Sequence, residues 1–333
     1  MDRELETLCK ALVTELKLGA VEDVSDVRPL TGGVASDIAS LKIGDDVYCM
    51  KFAREKLQVS EEWFAPVHRN EAEYAWLNFV GQILPECAPK LYGQSESLSG
   101  FAMEFVSGEQ VYLWKDELLR GQARPEAARA VAACLGKIHS ASAKPNFVRH
   151  KFNNHDDFKA LRLEPYLGFL ANKHAVLAEN INAVETGLAQ KSDVLVHGDV
   201  SPKNIILRNG CPIILDAECA TMGDASFDPS FCLNHLILKA FNSPANASNI
   251  LDMVEVFWGA YSDFIDWEDS AHLEERVCAL VPILMLARID GKSPVEYLSN
   301  EARDQVRFVS MPLISHPISK LSDLIGLIKT ELS

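Results

Sequence analysis

The chain has 333 residues, 48% hydrophobic and 24% charged, enough to bury a full core and to form two lobes or domains. Its 47 acids against 32 lysines and arginines give a formal charge of −15, which argues against nucleic acid or an anionic membrane surface as a partner, since both call for a basic footprint. The same balance suits a cationic or neutral small substrate.

The opening stretch "MDRELETLCKALVTELKLG" reads as an acidic, amphipathic helix, unlike a signal peptide. "VSDVRPLTGG", "DIASLKI" and "DVYCMKF" follow as short, part-alternating strands, with "GDD" as a hairpin turn. Residues 60–80 read as helix, and "KLYGQ" and "GFAMEFV" as two more strands around the turn "SESLSG". A linker near residues 106–112 comes next. "RPEAARAVAACLGKIHSA" is then strongly helical, opened by a proline near its first turn, and helical patterning dominates 155–190 and most of 226–333. Three strand-like islands interrupt it, "VLVHGDV", "NIILRN" and "PIILDA", expected to form one short sheet facing the linker. The expected class is therefore α+β, with a small β-rich N-lobe over 1–106 and a larger, mainly helical C-lobe over 107–333. No apolar run approaches the ~20 residues that span a bilayer. The eight cysteines are scattered, without C-x-x-C spacing, and most sit in apolar runs. They are expected as buried free thiols of a cytoplasmic protein, with no zinc site and no disulfide frame.

The chemistry concentrates in "VLVHGDVSPKNIILRNGCPIILDAECA", residues 194–220. Asp199 precedes Asn204 by five residues, with Pro202 favouring a loop between them. Asp216 ends an apolar strand, where a carboxylate is expensive without a partner. One Asn and one Asp suit Mg²⁺, which takes few protein ligands and fills its other positions with water and substrate phosphates. Asp199 is then left to orient a hydroxyl or accept its proton, and phosphoryl transfer asks for little more than positioning and charge neutralisation. A hairpin whose polar residues only serve its turns is the alternative, weakened by Asp216 and by Glu218 two residues beyond it.

A nucleotide would need a cradle. In "LTGGVASD", residues 30–37, Gly32 and Gly33 let backbone N–H groups approach phosphates. Lys51, in "VYCMKFA", shares a strand face with Cys49 and is either an inward cation needing a carboxylate or an outward strand residue. "RNEAEYAWL" offers Glu73, in line with Leu77, and Glu71, which looks more like a surface residue. Backbone groups of Glu104 and Val106 in "MEFVSG" would meet an adenine edge. Candidates for an acceptor pocket are Asn234 and His235 in "FCLNHLILK", Trp258 in "VFWGAY", and Arg288 and Asp290 in "LMLARIDGKSP". Arg288 interrupts an apolar run, so its charge needs a ligand or an internal ion pair with Asp290 or another acid.

"HGDVSPKN" followed by "LDAECA", with "GGVASD" and a strand lysine upstream, resembles the aminoglycoside phosphotransferase and choline kinase superfamily, whose fold is bilobal and protein-kinase-like, over about residues 25–235. The Asp-x-Glu of "LDAE", in place of a protein kinase's Asp-Phe-Gly, resembles the methylthioribose kinase and choline kinase branches. The resemblance implies an ATP- and Mg²⁺-dependent phosphotransferase acting on the hydroxyl of a small molecule such as a sugar, amino alcohol or aminoglycoside. Carried over by position, it implies Asp199 as catalytic base, Asn204 and Asp216 as Mg²⁺ ligands, and Glu218 as a further metal or water contact. It puts Lys51 on the α/β-phosphates, Gly32, Gly33 and Ser36 in the phosphate loop, and favours Glu73 over Glu71 as the partner of Lys51. His197, His139 and Asp228 take supporting roles. Ser201 departs from the protein-kinase pattern, which has a lysine there, and Lys203 is expected to point elsewhere. That departure, and the lack of an Ala-Pro-Glu segment, disfavour a protein kinase. A catalytically silent nucleotide-binding scaffold is the other alternative. The motifs carry no signal for an oligomeric state.

Overall fold

The computed structural model describes residues 3–30, 36–54 and 69–332. Gly32 and Gly33 lie outside the described residues, as do residues 60–68 of the expected helix. The chain divides into two compact units, Met1–Glu109 and Gln110–Ser333.

The first unit is an antiparallel sheet of five strands in the order β1-β2-β3-β5-β4. The strands are β1 Val24–Pro29, β2 Ser36–Ile43, β3 Asp46–Ala53, β4 Leu91–Ser95 and β5 Gly100–Glu104, accompanied by α1 Arg3–Leu16 and α2 Arg69–Ile83. Gly44, at φ +61°, makes the tight turn between β2 and β3. Alternation then sorts the strand faces. Ala39, Leu41 and Ile43 of β2 and Tyr48, Met50 and Phe52 of β3 cluster with Leu5, Cys9, Leu12 and Val13 of α1. Cys49 and Lys51 point the other way and are buried as well. A central strand buried on both faces thus carries a lysine into the interior.

In the second unit, β6 Val111–Leu113 joins β8 Ile205–Arg208 and β9 Cys211–Ile214 in a sheet of order β6-β8-β9. β7 Val194–Val196 pairs separately with β10 Thr221–Gly223. The single short sheet expected from the sequence is therefore two. After β7 the chain turns at Gly198, φ +83°, and closes a loop before β8 begins, so β8 finds its partners in β9 and in β6 from the stretch read as linker. Asn209 and Gly210, both at positive φ, form the β8–β9 hairpin turn.

The helices of this unit are α3 Trp114–Leu119, α4 Pro125–Ala143, α5 His155–Phe158, α6 Phe169–Lys173, α7 Ala178–Gln190, α8 Phe227–Asn242, α9 Ala247–Ser262, α10 Ser270–Asp290, α11 Asn300–Ser315 and α12 Leu321–Glu331. A π-helical segment, Lys159–Gly168, runs between α5 and α6. Pro125 opens α4, and the side chains of Asp269 and Ser299 cap α10 and α11 by accepting from their first free N–H groups. α8 is buried from Phe227 to Phe241, the central helix around which α9, α10 and α11 pack. The class is mixed α+β, with the antiparallel sheet in the N-terminal unit and the helices mostly in the larger one. Among the described residues no helix is long and apolar enough to cross a membrane.

Candidate active site

The loop from His197 to Asn204 is built by its own backbone. Asp199 carbonyl accepts from Ser201 N–H at 2.8 Å, and Ser201 carbonyl accepts from Asn204 N–H at 2.9 Å. The Asn204 side chain closes the loop by donating Nδ2–H to the Asp199 carbonyl at 3.1 Å. That commitment of the nitrogen leaves Oδ1, the atom a hard cation takes, without a donor among the described residues.

His197 fastens this loop to the next. Its Nδ1 accepts from Asp199 N–H at 3.1 Å, and its Nε2 lies 3.1 Å from the Leu215 carbonyl. An N–H can only donate and a carbonyl only accept, so the ring is neutral with its proton on Nε2. Burial keeps it neutral by pushing its pKa down, outweighing the pull of Asp228, Asp199 and Asp216. Leu215 N–H also donates to the Asn204 carbonyl at 2.8 Å. Asp216, next in the chain, is thereby tied to the Asn204 loop. It adopts φ +70°, a left-handed conformation uncommon outside glycine and tolerated best by Asp and Asn. Glu218 follows as a buried residue before β10.

Asp228, in the first turn of α8, anchors the loop from below. Its carboxylate accepts from His197 N–H at 2.7 Å and Gly198 N–H at 2.9 Å, and meets His139 Nε2 at 3.3 Å. His139 reaches Tyr261 through its other nitrogen at 2.8 Å. Both histidines therefore stand behind the loop, in supporting positions.

Asp199 itself is nearly buried. Burial alone would raise its pKa, but Lys203, Arg162 and His197 together hold it far below the usual carboxylate range. Lys203 Nζ lies 3.2 Å from Asp199 Oδ2, four residues back, and the same attraction raises the lysine's pKa. The expectation that Lys203 points elsewhere is thus corrected: the short 3-10 turn over Pro202–Asn204 folds it back over the carboxylate. Arg162 is the residue the sequence reading missed. It donates to the Gly198 carbonyl and through Nη2 to Asp199 Oδ2 at 3.2 Å. It belongs to the π-helical segment, whose wide turns accommodate Pro165 and present a side chain that regular helical spacing places elsewhere. The available signal was an arginine inside the apolar run "ALRLEPYL".

In the first unit, Lys51 Nζ and Glu73 Oε2 form an ion pair at 2.5 Å, exposed by only 2% and 1%. Glu71, the alternative, is exposed. Ser36 is buried at the start of β2. Glu104 ends β5, its N–H donating to the Lys90 carbonyl at 2.8 Å and its side chain accepting from Lys90 N–H at 3.1 Å. Val106 lies two residues beyond the strand, its backbone groups unpaired among the described residues.

The acceptor candidates separate. Asp290 stands within an ion cluster of Lys173, His174 and Arg307, at 3.3, 3.0 and 3.0 Å. Arg288 does not join it; its Nη1 bonds the Ser293 carbonyl, and the Ser293 hydroxyl at 3.0 Å. Asn234 is fully buried and donates to the carbonyls of Ser230 and Phe231. His235 packs against Phe231 at 5.4 Å between ring centres, while Trp258 sits against Tyr261 on α9.

The methylthioribose kinase of Yersinia enterocolitica is 24% identical over 241 residues, covering 61% of this chain and 59% of the relative. That of Cronobacter sakazakii is 22% identical over 213 residues, covering 56% and 52%. The matched stretch thus spans little more than half the length of these relatives. Among solved structures, the choline kinase LicA from Streptococcus pneumoniae superposes with a TM-score of 0.53 at 16% identity, covering 94% of this chain and 99% of that one. A choline/ethanolamine kinase family protein from Mesorhizobium loti gives 0.54 at 14% identity, covering 98% and 99%. These likenesses show a shared, protein-kinase-like fold. The phosphotransferase enzyme family matches residues 26–250, two thirds of the sequence and the whole of the loop system described above, and the chain belongs to that family.

Proposed function

We propose that the chain transfers the γ-phosphoryl group of ATP, with Mg²⁺, to a hydroxyl of a small molecule. The observation that carries this reading is Asp199 Oδ1, buried without a hydrogen-bond partner among the described residues, on a carboxylate held ionised by Lys203 and Arg162. A buried, unsatisfied anionic oxygen is expensive, and a substrate hydroxyl donating to it removes the cost. The hydroxyl oxygen forms the new bond to Pγ as the bond from Pγ to the β,γ-bridging oxygen breaks. ADP leaves with the electron pair, and the hydroxyl proton passes to Asp199. So weak a base orients the hydroxyl first and takes its proton late, which suits a loose transition state.

Asn204 Oδ1 and the Asp216 carboxylate are hard oxygen donors on loops tied together through Leu215, and they suit Mg²⁺, with Glu218 as a further contact. Bound there, Mg²⁺ would neutralise phosphate charge. Lys51, oriented by Glu73, would hold the α/β-phosphates, Ser36 with Gly32 and Gly33 would form the phosphate loop, and the backbones of Glu104 and Val106 would meet the adenine. The eight free cysteines go with a reducing, cytoplasmic setting.

Two variants test the assignment. Asp199→Asn should lower turnover by about 10³-fold or more while leaving Mg²⁺–ATP affinity nearly unchanged; near-normal turnover would remove Asp199 as base. Asp216→Ala should weaken nucleotide binding in Mg²⁺ but not in EDTA, read by calorimetry with AMP-PNP. Equal loss in both conditions would rule out the metal role. Tight Mg²⁺–AMP-PNP binding with no phosphate transfer to any acceptor would favour a silent scaffold.

A further inference from the structure

Basic groups in the helical unit are generally given carboxylates. Arg276 has Asp224 and Glu268 at 3.0 and 2.7 Å, and Lys173, His174 and Arg307 share Asp290. Among the cations without one are two on the packed helices α8 and α10. Lys239 of α8 is 97% buried by its 3% exposure, yet among the described residues its ammonium makes no hydrogen bond or ion pair. Its contact is the face of the Tyr297 ring, 4.7 Å from the ring centre. Among the described residues Arg288 of α10 has no carboxylate either, and its Nε is buried without a partner. Its guanidinium lies 5.9 Å from the Tyr166 ring centre, with Nη1 3.4 Å from the Tyr166 hydroxyl. The Tyr297 hydroxyl is buried and, among the described residues, unpartnered too.

These groups form one patch. Lys239 and His235 are one helical turn apart on α8, His235 packs on Phe231, Phe231 on Tyr166 at 5.6 Å, and Tyr166 meets Arg288. Tyr166 shares the π-helical segment with Arg162, which bonds Asp199, and so links the patch to the candidate base. Burial, joined by the charges of Lys115 and Arg288, pushes Lys239 down to about 7, and burial with Arg288 and Lys239 keeps His235 neutral. A buried ammonium and a partly exposed guanidinium with a buried, unpartnered Nε, neither given a carboxylate among the described residues, are an incomplete arrangement. An anion supplied from outside completes it.

We infer that the phosphoryl acceptor is itself anionic, a hydroxyl-bearing small molecule with a carboxylate or phosphate group held by Arg288 and Lys239. This rests on the reading of the chain as a small-molecule kinase. It reverses what the net charge of −15 suggests, because the acids are spent elsewhere and the patch beside Asp199 is basic.

The test is ADP release by the full chain with matched acceptors. The carboxylate arm is D-glycerate and D-gluconate, and the phosphate arm is glycerol 3-phosphate. The neutral arm is glycerol and glucose, and the cationic arm is choline, ethanolamine and kanamycin. Turnover above the rate with ATP alone is expected only in an anionic arm, and which arm responds tells carboxylate from phosphate. Lys239→Met and Arg288→Met should each raise KM for that acceptor by about tenfold or more, while KM for Mg²⁺–ATP moves less than about twofold. Lys239→Arg and Arg288→Lys should recover much of the loss, which separates lost charge from lost packing. Turnover confined to neutral or cationic acceptors, or variants that raise KM for Mg²⁺–ATP instead, would overturn the inference. So would turnover of no anionic acceptor by a protein that still binds Mg²⁺–AMP-PNP. Failure to bind Mg²⁺–AMP-PNP would instead overturn the kinase reading itself.

Discussion

Lys51 and Glu73 are almost fully buried, so neither charge has water to fall back on when the other is removed. Glu73→Gln should therefore destabilise the protein by roughly 3 kcal/mol, read as a lower urea midpoint, and should weaken nucleotide binding. The double variant Lys51→Met/Glu73→Leu should regain much of that stability while remaining inactive. A double variant no more stable than Glu73→Gln would mean that the cost is not one of a stranded charge. Lys239 poses the opposite problem, a buried amine with no carboxylate among the described residues. Its folded pKa of about 7 lies below the ordinary 10.5, so between those values the unfolded chain binds the extra proton and stability rises with pH. Below about pH 7 both states are charged and the full penalty applies, on the order of 4 kcal/mol. Lys239→Met should accordingly be more stable than the parent at pH 6, with the advantage shrinking steadily from pH 7 toward 10.5. A stability difference that does not change with pH would sink that account. Such a lysine lowers the stability of the free protein, and a binding role gives it a reason to persist.

At the scale of elements, the loop bearing Asp199 depends on the start of α8, where Asp228 takes two backbone N–H groups and a histidine. Gly198 must turn left-handed at φ +83°, and a Cβ there would come within 2.9 Å of the Cys219 Cβ. Gly198→Ala should cost about 2 kcal/mol or more, from backbone strain and this clash together, and should reduce kcat by displacing Asp199. An Ala variant with parental melting temperature and kcat would contradict it. Much of this was legible beforehand. Strand alternation placed Cys49 and Lys51 on one face, helical spacing put Glu73 in line with Leu77, and Pro125 marked the start of α4. The rest failed for physical reasons. Three residues, Val111–Leu113, are too short a run to show a period, so β6 was read as linker. Arg162 escaped because a π-helix shifts the register that helical spacing assumes. The fold-back of Lys203 is decided by backbone geometry at Pro202, and its pairing with Asp199 is a consequence of that local turn.

Across the whole molecule, composition and placement say different things. A net charge of −15 is compatible with a basic patch because a sum carries no positions, and the ion pairs show where the acids have gone. The cysteines make the complementary point, since their scatter along the sequence corresponds to a common environment. All eight are free, seven are buried, and Cys211 alone is partly exposed, in the β8–β9 hairpin. Burial pushes the thiols of Cys9, Cys49, Cys219 and Cys278 up to about 12, and raises Cys232 as well. At pH 8 a thiol with such a pKa is ionised in roughly one molecule in ten thousand, and its sulfur is also shielded from reagent. Titration of the native protein with DTNB at pH 8 should therefore show one fast thiol, lost in Cys211→Ser, and seven that react only as the protein unfolds. In guanidinium chloride all eight should react at once. Rapid reaction of several thiols in the native state would mean that the units open locally far more often than cores this apolar allow.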